Sequence, residues 1–470
     1  MAIRNDTTLT TEAEQLMATE LATSFDGEVI DRRHPSYEDA RQVWNGIIDR
    51  RPALIARCAS TADVVEALRV ARWFRPVVSI RGGGHQVAGS AVCDDALVID
   101  LSAMKGVQVE PTERVARAQG GVLWGELDRA TQLHGLITPG GEMSRTGIAG
   151  LTLGGGVTAT MRAYGLACDT LRSIEIVTAD GMVRTASRDE HADLFWAARG
   201  GGRGIGVITS FTYDLHPLGP DVASAMFIYP YDDAAAVIRA FADVAPGLPD
   251  EVGPELLVIT VPPAPDFPEE LHGQRVVIVA AMYAGPTADG HGALEPLGQL
   301  GTPLGGEITN APYLELQSTF DPMFPDGGRY YMKSHFMDHI SDDAIDALLR
   351  SDAARPEADV LIALRTMGGA VARVDAEESA FAHRNAAFNL SIDPHWSDPG
   401  LDDETIGWAR GAWDGLQPYA NGGVYLNFSG LDDDVDALRS AVQGSTTDRL
   451  AEIRRSYDPE GILEPAAQRP

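Results

Sequence analysis

Three consecutive glycines stand directly before a histidine in the stretch RGGGHQVAG, residues 81–89. Because glycine has no side chain, such a run lets backbone amides come close to another group, often a phosphate. Histidine is an uncommon choice for a simple turn, and it brings an imidazole to the same loop. Taken alone, the pattern fits a tight turn with a hydrogen-bonded histidine as well as it fits a ligand-binding loop.

Two further glycine clusters lie at 154–156 and 200–206. No cluster is followed by Lys-Ser or Lys-Thr, which excludes a P-loop. Residues 154–159 match the dinucleotide fingerprint G-x-G-x-x-A, and Asp180 lies where a ribose-binding acid would be expected. However, the pair Asp180-Gly181 lies between two strand-like runs and predicts a β-hairpin. An antiparallel hairpin conflicts with the parallel strands of a dinucleotide unit, so a nicotinamide-dependent enzyme is the weaker alternative.

Composition excludes several classes of protein. A chain of 470 residues exceeds what one compact core usually holds, so we expect two domains. The formal net charge of −31 argues against nucleic acid or an anionic membrane as partner. The three cysteines are odd in number and far apart, so they indicate neither a disulfide framework nor a metal site. The N-terminus lacks the pattern of a signal peptide, and no apolar run is long enough to span a bilayer, so we expect a cytoplasmic protein.

Periodicity and capping signals predict the elements around the glycine clusters. Residues 60–74 predict a helix with Ser60 as N-cap and Asp63 at the third helical position. Residues 76–80 predict a buried strand that leads into the first glycine run. The remaining predictions in this part are a strand at 96–102, a helix at 122–135, a β-hairpin at 174–187, a helix within 187–202 and a strand at 206–215.

The composition and the pattern of predicted elements change at about residue 216. Prolines cluster between 217 and 268, and long strand candidates follow with helix-like runs between them. This pattern is typical of an antiparallel sheet with helices, an α+β domain of its own. Near the C-terminus, residues 422–430 are predicted as a strand and residues 446–459 as a helix.

The order of these segments resembles the berberine bridge enzyme-like oxidoreductases of the vanillyl-alcohol oxidase superfamily, nearest in motif to their 6-hydroxy-D-nicotine oxidase-like bacterial members. The similarity is carried by RGGGHQVAGS, TPGGEMSRTGIAGLTLGGG, YGLACDTLRSIEIVTADG and GVITSFTYDLHP, and it resumes at GVYLNFSG and RLAEIRRSYDPEGIL. It implies an α+β fold with a two-subdomain PCMH-type FAD-binding domain and an antiparallel-sheet substrate domain with helices. The resemblance assigns 1–215 and the C-terminal segment 416–470 to the FAD-binding domain, and 216–415 to the substrate domain.

The resemblance also implies how the cofactor is attached. In this family the histidine of the glycine motif is joined through its ring to the 8α-methyl of FAD, and the match falls on His85. Many members carry a second link from a cysteine, but counting back from Gly154 puts Met143 at that position, and a thioether cannot form this bond. Cys168 falls where relatives carry alanine or an unattached cysteine, so we interpret it as a packing residue. The expectation is FAD with one covalent link, through His85, and no cysteinyl link.

The same resemblance predicts the residues that hold the cofactor. Most of them are glycines or their immediate neighbours in the three clusters. Thr146, a residue of modest size, matches a position that affects oxygen access in relatives, which favours an oxidase over a dehydrogenase. The predicted cofactor-binding residues are Arg81, Gly82, Gly83, Gly84, His85, Gln86, Gly89, Ser90, Gly141, Thr146, Gly147, Gly150, Gly154, Gly155, Gly156, Val157, Gly206, Val207 and Asn427.

The run VYLNF, residues 424–428, carries two candidate catalytic residues. Tyr425 and Asn427 are two positions apart, so in a strand they point to the same face. Asn427 matches an asparagine that lies close to the flavin in the family. Alcohol- and phenol-oxidising relatives often have a catalytic tyrosine where this chain has Phe428, which favours an amine or a hydroxylated heterocycle as substrate. Tyr425 is then a candidate for the base, and packing in the core is the competing interpretation.

The middle domain offers further candidates. Tyr331, Lys333 and His335 alternate in RYYMKSHF, so a strand would place them on one face. A lysine over a flavin could stabilise negative charge on the reduced ring, which makes Lys333 a candidate catalytic residue. Arg365 and Met367 alternate in the same way in LIALRTMGG. Periodicity does not tell which face of such a strand meets the ligand.

Together these expectations describe an FAD-dependent oxidase. It would transfer hydride from a small amine, alcohol or hydroxylated heterocycle to flavin N5 and pass the electrons to O2, which gives hydrogen peroxide. The expected partners are the small-molecule substrate and O2, with no nucleic acid, membrane or metal, in a monomer or homodimer. Two alternatives stay open: a dehydrogenase of the same fold with another electron acceptor, and a non-catalytic flavin-binding module.

Overall fold

The computed structural model describes residues 11–264, 267–431 and 444–463. The first part contains α1 (Thr11–Leu21), β1 (Glu28–Asp31), α2 (Tyr37–Ala40), β2 (Leu54–Arg57), α3 (Thr61–Phe74), β3 (Val78–Arg81) and β4 (Leu97–Asp100). The strands form a sheet in the order β1-β2-β4-β3, in which β2, β4 and β3 are parallel and β1 is antiparallel. Helix α3 begins as predicted, because the Ser60 hydroxyl accepts the Asp63 N–H and the Asp63 carboxylate accepts the Ser60 N–H. Strand β3 ends at Arg81 and leads directly into the first glycine run.

A second sheet follows. Its segment contains β5 (Val107–Glu110), β6 (Val115–Gln119), α4 (Trp124–Gln132), β7 (Leu136–Ile137), α5 (Ile148–Leu153), α6 (Met161–Tyr164), β8 (Leu171–Val177), β9 (Val183–Ser187), α7 (Ala192–Ala198), β10 (Val207–Asp214) and β11 (His216–Pro217). Five of these strands pair antiparallel in the order β5-β6-β10-β8-β9, and β7 pairs with β11. The β8–β9 pairing confirms the hairpin at Asp180-Gly181, so this segment is not a parallel dinucleotide unit.

The largest sheet has eight strands. Its segment contains β12 (Asp221–Pro230), α8 (Ala234–Val244), β13 (Val252–Thr260), β14 (Arg275–Tyr283), α9 (Thr287–Leu294), β15 (Gly305–Pro312), α10 (Tyr313–Gln317), β16 (Arg329–Tyr330), β17 (Lys333–Met337), α11 (Asp342–Ala353), β18 (Asp359–Thr366), α12 (Ala370–Arg373), β19 (Phe388–Trp396) and α13 (Asp402–Leu416). The order is β15-β12-β14-β13-β18-β19-β16, with β17 also paired to β19, and every pair is antiparallel. The last described helix, α14 (Thr447–Tyr457), packs against α7 of the second sheet. This architecture confirms the predicted α+β class, and none of the described helices is long and apolar enough to cross a membrane.

The two faces of the eight-stranded sheet have different environments. Ile362 and Leu364 of β18 point into an apolar core with residues of α8, α11 and α13. Leu361 and Ala363, the alternate residues, pack instead with Trp44 and with residues beside the first glycine run. We call this second face, which lacks the helices α8, α11 and α13, the helix-free face. It covers the glycine-rich loops, and side chains on it can reach a ligand bound there.

Two predicted strands are wrong in part. The expected strand at 422–430 is instead irregular and contains a 3-10 turn at Leu426–Phe428. It does not join a ladder, because the Tyr425 N–H is bonded to the Ser334 hydroxyl at 2.9 Å. The strand-like run that begins at Asp359 ends at Thr366, since Gly368 and Gly369 adopt φ of 90° and 55° and a short helix follows.

We expect Gly83→Ala to lower the stability of the protein and Gly150→Ala to raise it. A Cβ on Gly83 would lie 2.6 Å from the Gly147 backbone, so the substitution should lower the free energy of unfolding by about 1–3 kcal/mol. A Cβ on Gly150, in α5, would meet nothing within 4 Å and should stabilise the helix by up to about 1 kcal/mol. Urea unfolding midpoints of the two variants measure the difference, and equal midpoints would contradict the steric argument.

Candidate active site

The first glycine cluster meets the second, taken from here on as the whole glycine-dense stretch 140–156, without intervening side chains. Gly83 and Gly147 approach so closely that a Cβ on either residue would lie within 2.6 Å of the other's backbone. Gly147 also forms an isolated β-bridge with Leu123, which holds the second cluster beside α4. The predicted cofactor loops thus form one bare backbone surface beneath the eight-stranded sheet. Such a surface can present amides to a phosphate.

His85 lies at the end of this surface with its ring stacked on an indole. The ring centroids of His85 and Trp44 are 4.1 Å apart and the planes differ by 13°. The backbone N–H of Trp44 donates to the Gly84 carbonyl at 3.1 Å, and Gly84 adopts a φ of 69°. Burial lowers the pKa of His85 to about 4, so the imidazole is neutral near pH 7.

Tyr425 and Asn427 come together as predicted, although no strand presents them. The Tyr425 hydroxyl accepts the Val157 N–H at 2.9 Å and an amide N–H of Asn427 at 2.8 Å. The Asn427 amide also donates to the Leu151 carbonyl and lies directly against Gly154. Burial raises the pKa of Tyr425 to about 12. Tyr425 therefore fastens the segment that contains Asn427 to the second glycine cluster, and the structure does not favour it as a base.

A charged cluster on the helix-free face was not predicted as a unit. Arg365 of β18 makes a bidentate pair with Glu142, with Nε–Oε1 and Nη2–Oε2 distances of 2.9 Å. Its third donor, Nη1, lies 3.0 Å from the Ser391 hydroxyl, which in turn donates to Asp393 at 2.6 Å. Glu255, opposite Arg365 on β13, lies 4.0 Å from Nε. One guanidinium is therefore shared by three carboxylates.

Two carboxylates of this cluster have an oxygen that can still accept a hydrogen bond or a proton. Within the described ranges, Oδ1 of Asp393 and Oε2 of Glu255 are buried and have no hydrogen-bond partner. Burial raises the pKa of Asp393 to about 7. Burial and the nearby Glu142 charge also raise the pKa of Glu255. Because Asp393 changes its protonation state near neutral pH, it can take up or release a proton during catalysis.

Apolar side chains complete the site. Phe428 lies edge-on to Tyr425 with centroids 5.0 Å apart, and the Arg365 guanidinium lies 5.2 Å from the Phe428 ring centroid. Met143 and Phe428 contact the same apolar cluster, which includes Val87, two residues after His85. The site therefore has an apolar wall and a charged wall above the bare glycine surface.

Comparisons with known proteins show which enzymes this chain is similar to. Residues 52–187 match the model of an FAD binding domain. The sequence is 29% identical over 451 residues to the uncharacterised FAD-linked oxidoreductase YgaK of Bacillus subtilis, covering 94% of this chain and 96% of that one. The solved structure of 6-hydroxy-D-nicotine oxidase from Arthrobacter nicotinovorans is 25% identical with a TM-score of 0.83, covering 94% of this chain and 97% of that one. The chain is an FAD-linked oxidoreductase.

A further solved structure with this fold is glucooligosaccharide oxidase from Acremonium strictum, which carries a 6-S-cysteinyl, 8α-N1-histidyl FAD. It is 21% identical, with a TM-score of 0.84, and the match covers 95% of this chain and 97% of that one. At this identity the likeness shows the fold alone.

The residues of this FAD-linked oxidoreductase fit a bound dinucleotide. The loops that meet at Gly83 and Gly147 are bare backbone, and the amides of such loops can bind a diphosphate. Arg203, in the third glycine cluster, forms no ion pair within the described ranges, and the charge of Arg50, another cation, acts on it. A diphosphate would compensate both charges. Sequence reasoning missed Arg203 because it considered only the glycines of that cluster.

Several predicted cofactor residues also lie on this surface. Gly82 and Gly84 are in the first turn of the loop, where the Arg81 side chain reaches the Ala40 carbonyl. The amide oxygen of Gln86 accepts the Ser90 N–H at 3.3 Å, and Gly89 packs against Ile48. In the second cluster, Gly141 packs against the indole of Trp124. The backbone N–H of Trp124 donates to the Thr146 carbonyl. Gly155 and Gly156 adopt φ of 111° and 87° and pack against Phe381 and Ala167.

Other predicted cofactor residues have groups that are engaged elsewhere. The Val157 amide binds the Tyr425 hydroxyl, so it is not free for a phosphate. The Val207 side chain lies in the core between the first two sheets, and Gly206, with a φ of 150°, packs against Ile176 beneath it. These two positions can face a flavin only through backbone atoms.

Lys333 requires a correction. It shares a face with Tyr331 and His335 as predicted, but this face is covered by α13. The Lys333 ammonium lies 4.2 Å from the centroid of the Trp413 ring, and His335 stacks on the same ring. Cross-strand partners share a face, and Lys333 is opposite Ile392, a residue of the helix-side core. The prediction that Lys333 lies over the flavin is therefore wrong, because the face that covers the glycine loops carries Arg365 and not Lys333.

Cys168 is a buried thiol apart from the charged cluster. It packs with Val157, Phe336 and Tyr425, and burial raises its pKa. The position predicted for a second flavin link holds Met143, which contacts the apolar wall. The position predicted for a second link therefore has no thiol, and Cys168 is a packed core residue.

We expect Arg365→Met to destabilise the protein by about 3 kcal/mol or more, because the partly buried Glu142 and Glu255 and the buried Asp393 would lose their shared cation. Arg239→Met is the control, since its pair with Asp342 is exposed and should contribute less than about 1 kcal/mol. Urea unfolding at pH 8 measures both variants. Similar midpoints for the two variants would show that the Arg365 cluster does not hold the site together.

Proposed function

We propose that this FAD-linked oxidoreductase is an oxidase of a small amine, with O2 as electron acceptor and hydrogen peroxide as product. Alcohols and hydroxylated heterocycles are the competing substrate classes from the sequence. The observation that carries the proposal is the Asp393 carboxylate oxygen that has no hydrogen-bond partner among the described residues, on the sheet face that covers the glycine loops. It is supported by the pKa of Asp393, which burial raises to about 7.

The acid–base groups of the site favour an amine over an alcohol. Phe428 has no hydroxyl, and the Tyr425 hydroxyl has a raised pKa of about 12 and accepts two hydrogen bonds. This leaves Asp393 and Glu255 to accept a proton. A carboxylate with a pKa of about 7 faces a gap of about 3 units from an ordinary ammonium group, whose pKa is about 10. The gap from a hydroxyl with a pKa of about 16 is about 9 units, which is too large for efficient transfer.

Each residue of the site has a specific task in this proposal. Bound FAD supplies the hydride acceptor. Oδ1 of Asp393 takes the proton of the substrate ammonium, so that the neutral amine can lose hydride. Arg365 holds Ser391 and Glu142 in place, and Glu255 adds a second carboxylate to attract a cationic substrate. Phe428 and Met143 exclude water from the reacting carbon.

We also propose that FAD is attached to His85 alone. A neutral imidazole has a lone pair for bond formation, and burial keeps the pKa of His85 near 4. The histidyl flavin of glucooligosaccharide oxidase supports this mode of attachment. Met143 and the buried Cys168 offer no second link.

Acid precipitation of the purified protein should leave the yellow flavin on the polypeptide. His85→Ala should release it into the supernatant, because the attachment atom is removed. Cys168→Ala is the matched control and should keep its flavin, and absorbance at 450 nm of pellet and supernatant measures both. Release from Cys168→Ala, or retention by His85→Ala, would contradict single attachment through His85.

A screen of small amines that reads peroxide production tests the function itself. With a turned-over amine, kcat/KM should rise with pH through about 7, because Asp393 accepts a proton only when it is ionised. Asp393→Asn should lower kcat/KM by about 100-fold and remove this limb. Asp359→Asn, an exposed carboxyl of the same sheet, should leave the profile unchanged. Flavin reduction without oxidation by air would identify a dehydrogenase instead.

A further inference from the structure

Trp44 lies between the ring predicted to carry the flavin and the eight-stranded sheet. One face of its indole covers His85, with centroids 4.1 Å apart and planes 13° apart. The other face covers Tyr330 of β16, with centroids 3.9 Å apart and planes 2° apart. Trp44 and Tyr330 are almost completely buried. The three rings thus form a continuous stack that joins the first glycine loop to the substrate sheet.

The chain around Trp44 is bonded to both sides of this stack. The indole N–H donates to the Phe324 carbonyl at 3.0 Å, and the backbone N–H donates to Gly84, the residue before His85. The next residue, Asn45, donates from its amide to the carbonyls of Val87 at 2.7 Å and Tyr330 at 2.9 Å. Asn45 also accepts the Tyr330 N–H at 3.1 Å. The indole therefore has little freedom to tilt or slide.

A ring held on one face can turn only within its own plane. The plane of the His85 imidazole follows the plane of the Trp44 indole, and its nitrogens then lie at the edge of the stack. Attachment requires one of these nitrogens to meet the flavin methyl carbon in line, and correct orientation of two reacting groups can change a rate by several powers of ten. A His85 side chain without the indole would sample several rotamers.

We propose that Trp44 is the positioning residue for covalent flavin attachment, because its indole, clamped by Tyr330, sets the plane of the His85 imidazole. The proposal rests on attachment through His85 as proposed above. In the reaction, an imidazole N–H bond and a methyl C–H bond are lost and one N–C bond forms. The two electrons left on the flavin and two protons pass to O2 as hydrogen peroxide, so the step balances with O2 as oxidant.

The experiment compares Trp44→Phe, which keeps a stacking ring, with Trp44→Leu, which keeps apolar bulk but removes the ring. Trp73→Leu is the control, because Trp73 is 79% exposed on α3 and is not part of the stack of His85, Trp44 and Tyr330. Each protein is prepared from riboflavin-limited cells and incubated with FAD in air. Flavin fluorescence of the denatured protein gives the covalent amount, and absorbance before denaturation gives the total amount bound.

Trp73→Leu should match the unsubstituted protein, and Trp44→Phe should attach flavin within about threefold of its rate. Trp44→Leu should attach flavin at least tenfold more slowly while it still binds FAD non-covalently. Attachment by Trp44→Leu at the unsubstituted rate would overturn the proposal. A parallel loss of covalent and non-covalent flavin would also overturn it, since that result indicates a purely structural role.

A second variant covers the case in which Trp44→Leu does not fold. Tyr330→Leu leaves the His85–Trp44 contact but removes the ring that clamps the indole, so it should slow attachment by a smaller factor with FAD binding retained. An unchanged rate in Tyr330→Leu would contradict the clamp. If the unsubstituted protein itself held its flavin only non-covalently, the proposed His85 link would fail, and that outcome is visible before any variant is compared.

Discussion

Gly83 and Gly147 pass each other with no room for a side-chain carbon on either residue. This contact determines where the rest of the site lies. On one side it sets the path of the loop that ends in His85, and on the other it sets the path of the loop that carries Glu142 and Met143. Both loops belong to the two small sheets, whereas their partners Arg365 and Tyr330 belong to the large one. A single backbone approach therefore brings three sheets to one site.

Local signals in the sequence predicted the elements that hold this contact. The Ser60 cap, the Asp180-Gly181 hairpin and the strand before the glycine run are short-range features, and the structure confirms each of them. The resemblance to a known family predicted the α+β architecture and FAD as the cofactor. The segment around Tyr425 was mispredicted as a strand because its apolar alternation has the correct period. Its backbone N–H is instead bonded to the side-chain hydroxyl of Ser334 and not to the carbonyl of a strand.

The site itself was only partly predictable, for two physical reasons. A period of two shows that Lys333 and His335 share a face but not that α13 covers this face, so the wrong cation was chosen. The charged cluster joins residues 223 positions apart, Glu142 and Arg365, and no local pattern encodes that pairing. Asp393 could have been noticed as an acid alternating with Ser391 on an apolar strand, but the same pattern is typical of a solvent-facing residue.

The bidentate pair of Glu142 with Arg365 also limits how the enzyme can admit a substrate. It connects a loop of the second glycine cluster to the large sheet, and both side chains are mostly shielded from water. Separating such a pair costs about 3 kcal/mol or more, which keeps an opened form below about 1% of the molecules. Entry by a hinge motion that parts these two layers would therefore be rare. Substrate must instead reach the site while this pair stays closed, so its size and shape are tested before any chemistry begins.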